Sequence, residues 1–546
     1  MTSLIKKISH LFKGIAHFFS TSESTASASL FISIGAMCSK LMGFVREMII
    51  ANYFGASSAT DAYLVAYMFP GIIFSLLGVA LGTSFLPVFT ELNTSGRKKE
   101  AWATASNVLL LLGFILIIIT IIGEITAPVI IPLFAPGFDG ETLELSILLS
   151  RIVFPSLLFS VMNSLFSSIL HSYHMFRLTS LNGIYLNVGY IICILLFSRY
   201  LGIKALAIGV LIGFILQCIY LIPSVLKLGK FSLNSMSWKD PYFKRILWNM
   251  MPVVLSLSVH QIHIVADRLM ASWLTAGSVS SLNYAYKLIS LPNQVFVTAL
   301  ATALFPTLSQ LAAKKDSGQF RHVCMRSLRL AAVLIVPISI GMLILRVPTV
   351  GLVFERGAFD AVATQQTAIA LAWYVIGLLG LSFTTLLTKA FYALQDTKTP
   401  VKIALITIPL NIALNLILVG PMGHGGLALG TSIAVLLQAV FLFFKLEKRL
   451  KPEDSVSKTK FTLKVAIAGT IMGIAVWVAY YFLTGQFSSG NSLNYAIRLF
   501  VPTLLGVGTY LLLCRKLQIR ELDEMIGRFT GLAKKKLRIG TGRNSE

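Results

Sequence analysis

Ala101-Trp-Ala-Thr-Ala-Ser-Asn-Val-Leu-Leu-Leu-Leu-Gly-Phe-Ile-Leu-Ile-Ile-Ile-Thr-Ile-Ile-Gly123 contains no ionisable side chain and is bounded by Lys98, Lys99 and Glu100 before it and Glu124 after it. At a rise of 1.5 Å per residue, about twenty apolar residues in a helix cross the roughly 30 Å hydrocarbon core of a bilayer. This stretch therefore reads as a transmembrane helix. Stretches of the same kind recur from end to end of the chain with no polar domain between them. Taken as apolar runs bounded by charge, Gly or Pro, they predict fourteen helices near 28–50, 62–90, 101–123, 143–171, 178–198, 203–226, 243–273, 281–312, 323–346, 365–394, 402–420, 425–446, 461–484 and 495–514. The composition agrees: of 546 residues 56% are hydrophobic and 12% charged, where a soluble domain is about 25% charged. Mean hydropathy is +0.80. The expected class is an all-α polytopic membrane protein, and a soluble enzyme is excluded.

The 46 Lys and Arg residues against 22 Asp and Glu leave a net charge of +24. Most of the excess lies in short connections between apolar runs, where it orients the chain in the membrane and calls for no nucleic-acid partner. With the N-terminus inside, the inner connections hold Arg97, Lys98 and Lys99, then Lys314, Lys315 and Arg321, then Lys445 to Lys460, while the outer 134–144 stretch carries Asp139, Glu141 and Glu144. Both termini are thus expected to be cytoplasmic, in keeping with an even number of spans. Residues 1–27 read as a basic amphipathic segment on the inner surface, with Lys6, Lys7 and Lys13 among Ile5, Ile8, Leu11 and Phe12. Residues 515–546 read as a basic cytoplasmic tail, for which anionic membrane lipids are the expected partner. The five cysteines stand apart, with no disulfide framework or metal-ligand spacing.

Compared with itself, the chain repeats at an offset near 220. Phe134-Ala-Pro-Gly-Phe-Asp139 faces Phe354-Glu-Arg-Gly-Ala-Phe-Asp360, and Ser84-Phe-Leu-Pro-Val-Phe89 faces Ala303-Leu-Phe-Pro-Thr-Leu308. Ala207-Ile-Gly209 with Gln217 faces Ala428-Leu-Gly430 with Gln438. Six helices precede the offset, so the two copies share one orientation and are expected to be related by an axis along the membrane normal. The organisation that follows is an N-lobe of six helices over 28–226, a C-lobe of six over 227–450, and two further helices over 451–514. Two such pseudo-symmetric lobes would enclose a central cavity.

Ionisable groups within a span cost roughly 2.5–3.5 kcal/mol each on insertion scales, so they usually face a cavity or a partner. The first helix carries Lys40, Arg46 and Glu47, and helical spacing puts Lys40 and Glu47 on nearly the same face. The seventh carries His260, His263, Asp267 and Arg268. The repeat sets Arg46-Glu47 against Asp267-Arg268, an acid–base pair in each copy. One reading is a cationic, partly neutralised cavity for an anionic group; the other is structural ion pairs or side chains snorkelling at helix ends. Glu47 and Asp267 suit orienting partners, and with His260 and His263 they are also candidates for proton or sodium coupling. Asp61 opens the second helix and reads equally as a ligand or a cap. Lys287 lies one turn inside the eighth helix ahead of Pro292, which can break the helix and expose backbone groups; snorkelling is its alternative.

At these residues the sequence resembles the MurJ/MviN lipid II flippases of the MOP (multidrug, oligosaccharidyl-lipid, polysaccharide) exporter superfamily. The resemblance rests on Ser39-Lys-Leu-Met-Gly-Phe-Val-Arg-Glu47, Phe54-Gly-Ala with Thr60-Asp-Ala62, Phe354-Glu-Arg-Gly-Ala-Phe359, Phe391-Tyr-Ala-Leu-Gln-Asp-Thr-Lys-Thr-Pro-Val-Lys402, and Gly420-Pro-Met-Gly-His-Gly-Gly-Leu-Ala-Leu-Gly430. It covers roughly residues 28–450 and implies fourteen helices in two six-helix lobes plus two. It also implies a transporter of the bacterial plasma (inner) membrane that moves undecaprenyl-diphosphate-linked disaccharide-pentapeptide, lipid II, outward by alternating access. Arg46 falls on the family's cavity arginine, with Glu47 where Asp is usual. Lys40 and Lys287 replace arginines, and Asp61 matches the Thr-Asp-Ala aspartate. The family's second-helix Pro-Asn-x-x-Arg-Arg reads here Pro70-Gly-Ile-Ile-Phe-Ser75, so an arginine expected at the diphosphate is missing, and Arg268 is expected to substitute for it. The implied substrate-binding set is Lys40, Arg46, Glu47, Asp61, Arg268 and Lys287. No cofactor is expected, the drive being the membrane potential or a Na+ or H+ gradient, and the working unit is expected to be a monomer. The rival readings are a flippase for another polyprenyl-linked glycan and a MATE-type antiporter. No HExxH, GxSxG or P-loop motif supports an enzyme.

Overall fold

The computed structural model describes residues 25–232, 235–450, 455–487, 491–519 and 521. The basic segment expected before residue 25 and the tail beyond 521 lie outside the described residues. The described chain is all helix, with no strand among the described residues. In the first half the helices are α1 (Thr25–Phe54), α2 (Ser58–Thr94), α3 (Lys98–Phe134), α4 (Gly140–Val153), α5 (Ser156–Ser172), α6 (Phe176–Ser180), α7 (Asn182–Leu201), α8 (Lys204–Leu228) and α9 (Pro241–Ala271). There follow α10 (Ser278–Pro292), a π-helical turn at Asn293–Thr298, α11 (Ala299–Ala313), α12 (Ser317–Ile344), α13 (Arg346–Phe354), α14 (Ala361–Ile376) and α15 (Leu378–Ala393). The last are α16 (Lys398–Met422), α17 (His424–Leu450), α18 (Ser455–Gln486) and α19 (Ser492–Lys516).

Eleven helical stretches among the described residues are long and apolar enough to cross a membrane, and α14 with α15 form a twelfth, bent by 47°. The other two long helices, α1 and α9, run for 30 and 31 residues. With them the architecture is consistent with the fourteen spans expected. Several boundaries differ. The third span runs past its expected end at 123, through Glu124, Pro128 and Pro132, to Phe134. Proline lacks the N–H that would bond the carbonyl four residues earlier, and for Pro128 that carbonyl, Glu124 O, instead accepts from Arg151 Nε at 3.0 Å. Pro337 of α12 is tolerated in the same way, because the freed Val333 carbonyl accepts the Tyr510 hydroxyl at 2.9 Å. In a membrane no water can take that place.

The chain divides into two compact units, 1–280 with Arg356–Phe359, and Ser281–Glu355 with 360–546. This division does not follow the 226/227 boundary of the repeat, because α9 packs along α2 and α3 in the first unit. There Asn107 of α3 holds the Ser237 carbonyl and Asp240, just ahead of α9, at 2.9 and 3.0 Å. The core of the first unit joins Phe85 and Phe89 of α2, Leu111 of α3, Ile169 of α5, Leu221 of α8 and Ile246 of α9. Lipid tails are as apolar as leucine, so such helices associate by close packing. At α7 and α8 that packing is backbone to backbone, since a Cβ on Gly189 would strike Gly213. In the second unit, Leu328 and Ile335 of α12 pack with Leu386 and Phe391 of α15 and Leu442 of α17. Val465 and Met472 of α18, with Tyr510 of α19, lean on Val333.

The repeat is written in the backbone as well as in the sequence. Gly55, Gly96, His174 and Gly202 have positive φ, and Gly277, Lys315, Gln395 and Gly423 recur in the same order 219 to 222 positions later. Gly202 and Gly423 end α7 and α16 with φ/ψ of 55°/−139° and 56°/−135°. The repeated Phe134 and Phe354 motifs also make matching contacts within the first unit. The Gly137 N–H donates to Ser272 Oγ at 3.2 Å, just beyond α9, and the Ala358 N–H donates to the Asn52 carbonyl at 2.8 Å, near the end of α1. A Cβ on Gly137 would meet the Ser272 carbonyl, and one on Gly357 the Asn52 carbonyl. Each copy thus clasps the end of the other copy's first helix.

Candidate functional site

Arg46 and Glu47 lie in the last third of α1. Arg46 Nη2 is 2.7 Å from Glu47 Oε1, and the two side chains retain only 17% and 8% of their exposure. Burying both charges is tolerable because they neutralise each other and because the guanidinium finds an aromatic face. Its central carbon lies 4.5 Å from the ring centroid of Tyr190 on α7. The Tyr63 hydroxyl donates to the Tyr190 hydroxyl at 3.4 Å, and Tyr63 stacks on Tyr67 one turn along α2 at 6.2 Å between centroids. Arg46 Nε is buried with no hydrogen-bond partner among the described residues.

Arg268, near the end of α9, reaches the same turn of α2 and donates to the Leu64 carbonyl. Tyr67 interacts electrostatically with Arg46, Glu47 and Arg268 alike. The structure therefore brings together Arg46, Glu47 and Arg268 around three tyrosines, Tyr63, Tyr67 and Tyr190, which sequence reading missed. Their signal was present in part, since Tyr63 and Tyr67 stand four residues apart, one face of a helix, directly after Asp61. Tyr190 gave none, being one aromatic in an apolar span.

Asp61 is buried, and both of its carboxylate oxygens are taken. Oδ2 accepts from the Gly277 N–H and Oδ1 from the Ser280 N–H, each at 2.7 Å. It caps the start of α10, whose leading amide protons lack partners within the helix, while Ser57 caps α2 itself. Lys40 is exposed although Glu47 is buried, so the face they were expected to share is not uniformly covered. Lys287 is half-buried on α10 in the second unit, one turn before Pro292 and the π-helical turn. Asp267 is half-buried beside Arg268. The side chains of His260 and His263 lie outside the described residues. No cluster of ligating side chains fit for a metal occurs among the described residues.

The all-helical fold with its internal duplication is one that transporters of the MOP superfamily share. A solved inward-facing MATE-family multidrug resistance transporter of that superfamily superposes with a TM-score of 0.65 at 17% identity, covering 78% of this chain and 98% of that one. The profile of the family described as lipid II flippase MurJ matches residues 50–498. The probable lipid II flippase MurJ of Buchnera aphidicola (subspecies Acyrthosiphon pisum, strain APS) is 31% identical over 497 residues, 90% of this chain and 97% of that protein. A solved lipid II flippase MurJ in an inward closed conformation superposes with a TM-score of 0.76 at 27% identity, covering 90% of this chain and all of that one. The chain belongs to the lipid II flippase MurJ family, and it is a multi-pass protein of the inner membrane.

Proposed function

We infer that this chain carries lipid II, undecaprenyl-diphosphate-linked disaccharide-pentapeptide, from the inner to the outer leaflet by alternating access. The observation that supports the reading most directly is Arg46, a largely buried guanidinium over the ring of Tyr190 and beside Glu47. A diphosphate taken through hydrocarbon without counter-charge is prohibitively costly, and a planar guanidinium offers two parallel N–H bonds to an oxyanion. Arg268 reaches the same turn of α2 and takes over from the second-helix arginine that Pro70-Gly-Ile-Ile-Phe-Ser75 lacks. Lys40 and Lys287 are further cations of the substrate-binding set, Glu47 and Asp267 orient the arginines, and Asp61 holds the start of α10. The cations argue against the MATE-type rival, because a carrier of cationic drugs wants an acidic cavity. The headgroup is the part of the reading on which a flippase for another polyprenyl-linked glycan would differ.

The transported group carries about two negative charges, so an inside-negative potential favours its exit by roughly 4–5 kcal/mol per 100 mV. A drive of that size can carry the cycle without a cofactor or a chemical step, in keeping with a carrier. Glu47, Asp267, His260 and His263 are the places for a coupling proton or sodium ion. The chain works as a monomer with both termini in the cytoplasm, its basic tail against anionic lipid.

The test is the outer-face accessibility of lipid II to an added headgroup-cleaving enzyme, in cells depleted of their own flippase. Cleavage restored by this chain and lost with Arg46→Ala is the expected result. No cleavage despite verified membrane insertion would transfer the assignment to another polyprenyl-linked substrate.

A further inference from the structure

Arg46 is long and flexible, and the salt bridge to Glu47 holds it by a single nitrogen, Nη2. One such bond leaves the plane of the guanidinium free to turn about it, yet a bidentate grip on a phosphate needs that plane fixed. The plane is set from another helix. Tyr190 of α7 is 3% exposed, its ring lies 4.5 Å from the guanidinium carbon, and its hydroxyl is held in turn by Tyr63 of α2 at 3.4 Å. One face of the guanidinium is thereby closed, Nε is shut in without a hydrogen-bond partner among the described residues, and one edge is spent on Glu47. What remains for a ligand is the other N–H edge, presented in a fixed plane.

We propose that Tyr190 is a positioning residue for substrate binding, holding Arg46 so that its open edge meets an oxyanion of the diphosphate, with Tyr63 holding Tyr190. The proposal rests on the lipid II reading for its natural ligand and on the geometry for its chemistry. It separates two contributions of the tyrosine: the ring sets the plane, and the hydroxyl only tethers the ring. Phenylalanine at 190 therefore preserves the function and an aliphatic residue does not. A tyrosine that merely filled space would show no such dependence on Arg46.

The experiment is a double-mutant cycle on the purified full chain, reading equilibrium binding of two probes, lipid II and undecaprenyl diphosphate. Tyr190→Phe is expected to bind within about twofold of the native chain, and Tyr190→Leu to bind roughly tenfold more weakly, in the range of a desolvated cation–π contact. In an Arg46→Ala background, Tyr190→Leu is expected to cost nothing further. The proposal is overturned if Tyr190→Leu binds normally, if its loss persists without Arg46, or if Tyr190→Phe is as weak as Tyr190→Leu. A chain that binds undecaprenyl diphosphate with this pattern but not lipid II keeps the positioning role and loses the headgroup assignment. A native chain that binds neither loses both.

Discussion

Replacing Asp61 by alanine tests whether the start of α10 is held from α2. The carboxylate accepts two backbone N–H groups at 2.7 Å, and it is 3% exposed, so water cannot stand in for it. A hydrogen bond to a charged group contributes about 1.5–3 kcal/mol net. Two at the low end give about 3 kcal/mol, a figure that already allows for the cost of burying the charge. In native-state exchange, where an amide opens locally before it exchanges, 3 kcal/mol corresponds to roughly 150-fold faster exchange, at a factor of ten per 1.4 kcal/mol. The assay is hydrogen–deuterium exchange of the peptide spanning 275–282, with a peptide of the α17 core as internal standard. Asp61→Asn keeps one acceptor and turns an amide NH2 toward the second N–H, so it should fall between the two, at about tenfold. Unchanged exchange at Gly277 and Ser280 in Asp61→Ala would refute the reasoning, because those amides would then owe their protection to something other than the aspartate.

The clasp at Asn52 predicts that Gly357→Ala lowers the thermal midpoint of the purified protein clearly, since φ is +57° and the new Cβ would strike the Asn52 carbonyl. Gly96→Ala, with φ +78° and nothing within 4 Å, should show only the backbone cost of about 1–2 kcal/mol; equal shifts in the two would remove the clasp from the account. In the lipid II accessibility assay, Arg268→Ala is expected to lose most transport and Arg268→Lys to recover part of it. Full transport by Arg268→Ala alongside failure of Arg46→Ala would show that Arg268 does not replace the missing arginine. Burial pushes the Asp396 carboxyl up, but the Thr399 N–H and hydroxyl and the Arg449 guanidinium outweigh it and hold the group below its ordinary 3.8. A depressed carboxylate stabilises above its unfolded pKa and loses that contribution as pH falls through the folded one. Protection of the Thr399 amide, corrected for intrinsic rates, should therefore be flat from pH 7 to pH 5 and fall only at lower pH; a decline between pH 7 and 5 would contradict it.

The fold was legible because its signals are long. A stretch such as 101–123 has one reading in water or lipid, and the repeat was visible in glycines and aromatics that turned out to occupy matching turns, as Gly137 and Gly357 do. The boundaries were less legible, because a proline ends a helix only where its orphaned carbonyl finds no donor. That Arg151 would serve Glu124, or Tyr510 serve Val333, is a fact of tertiary structure. The site divides the same way. Arg46, Glu47 and Arg268 announced themselves as charges in apolar surroundings, but Tyr190 is separated from Arg46 by the five helices α2 to α6 and looks like any aromatic in an apolar span. Asp61 was legible as a cap but not as the cap of α10, because that helix begins more than two hundred residues away and capping patterns read from sequence are local.

The paired clasps also bear on biosynthesis. The turn after α1 rests on Gly357 and Ala358, so the first unit is not finished when its own helices have entered the membrane. At about 5–20 residues per second, a ribosome needs roughly 15–60 s to pass from Gly55 to Ala358. During that interval the end of α1 waits in the bilayer without its partner, and a chain released before residue 356 never acquires it. The early helices of this protein are completed from behind, by a segment synthesised long after them.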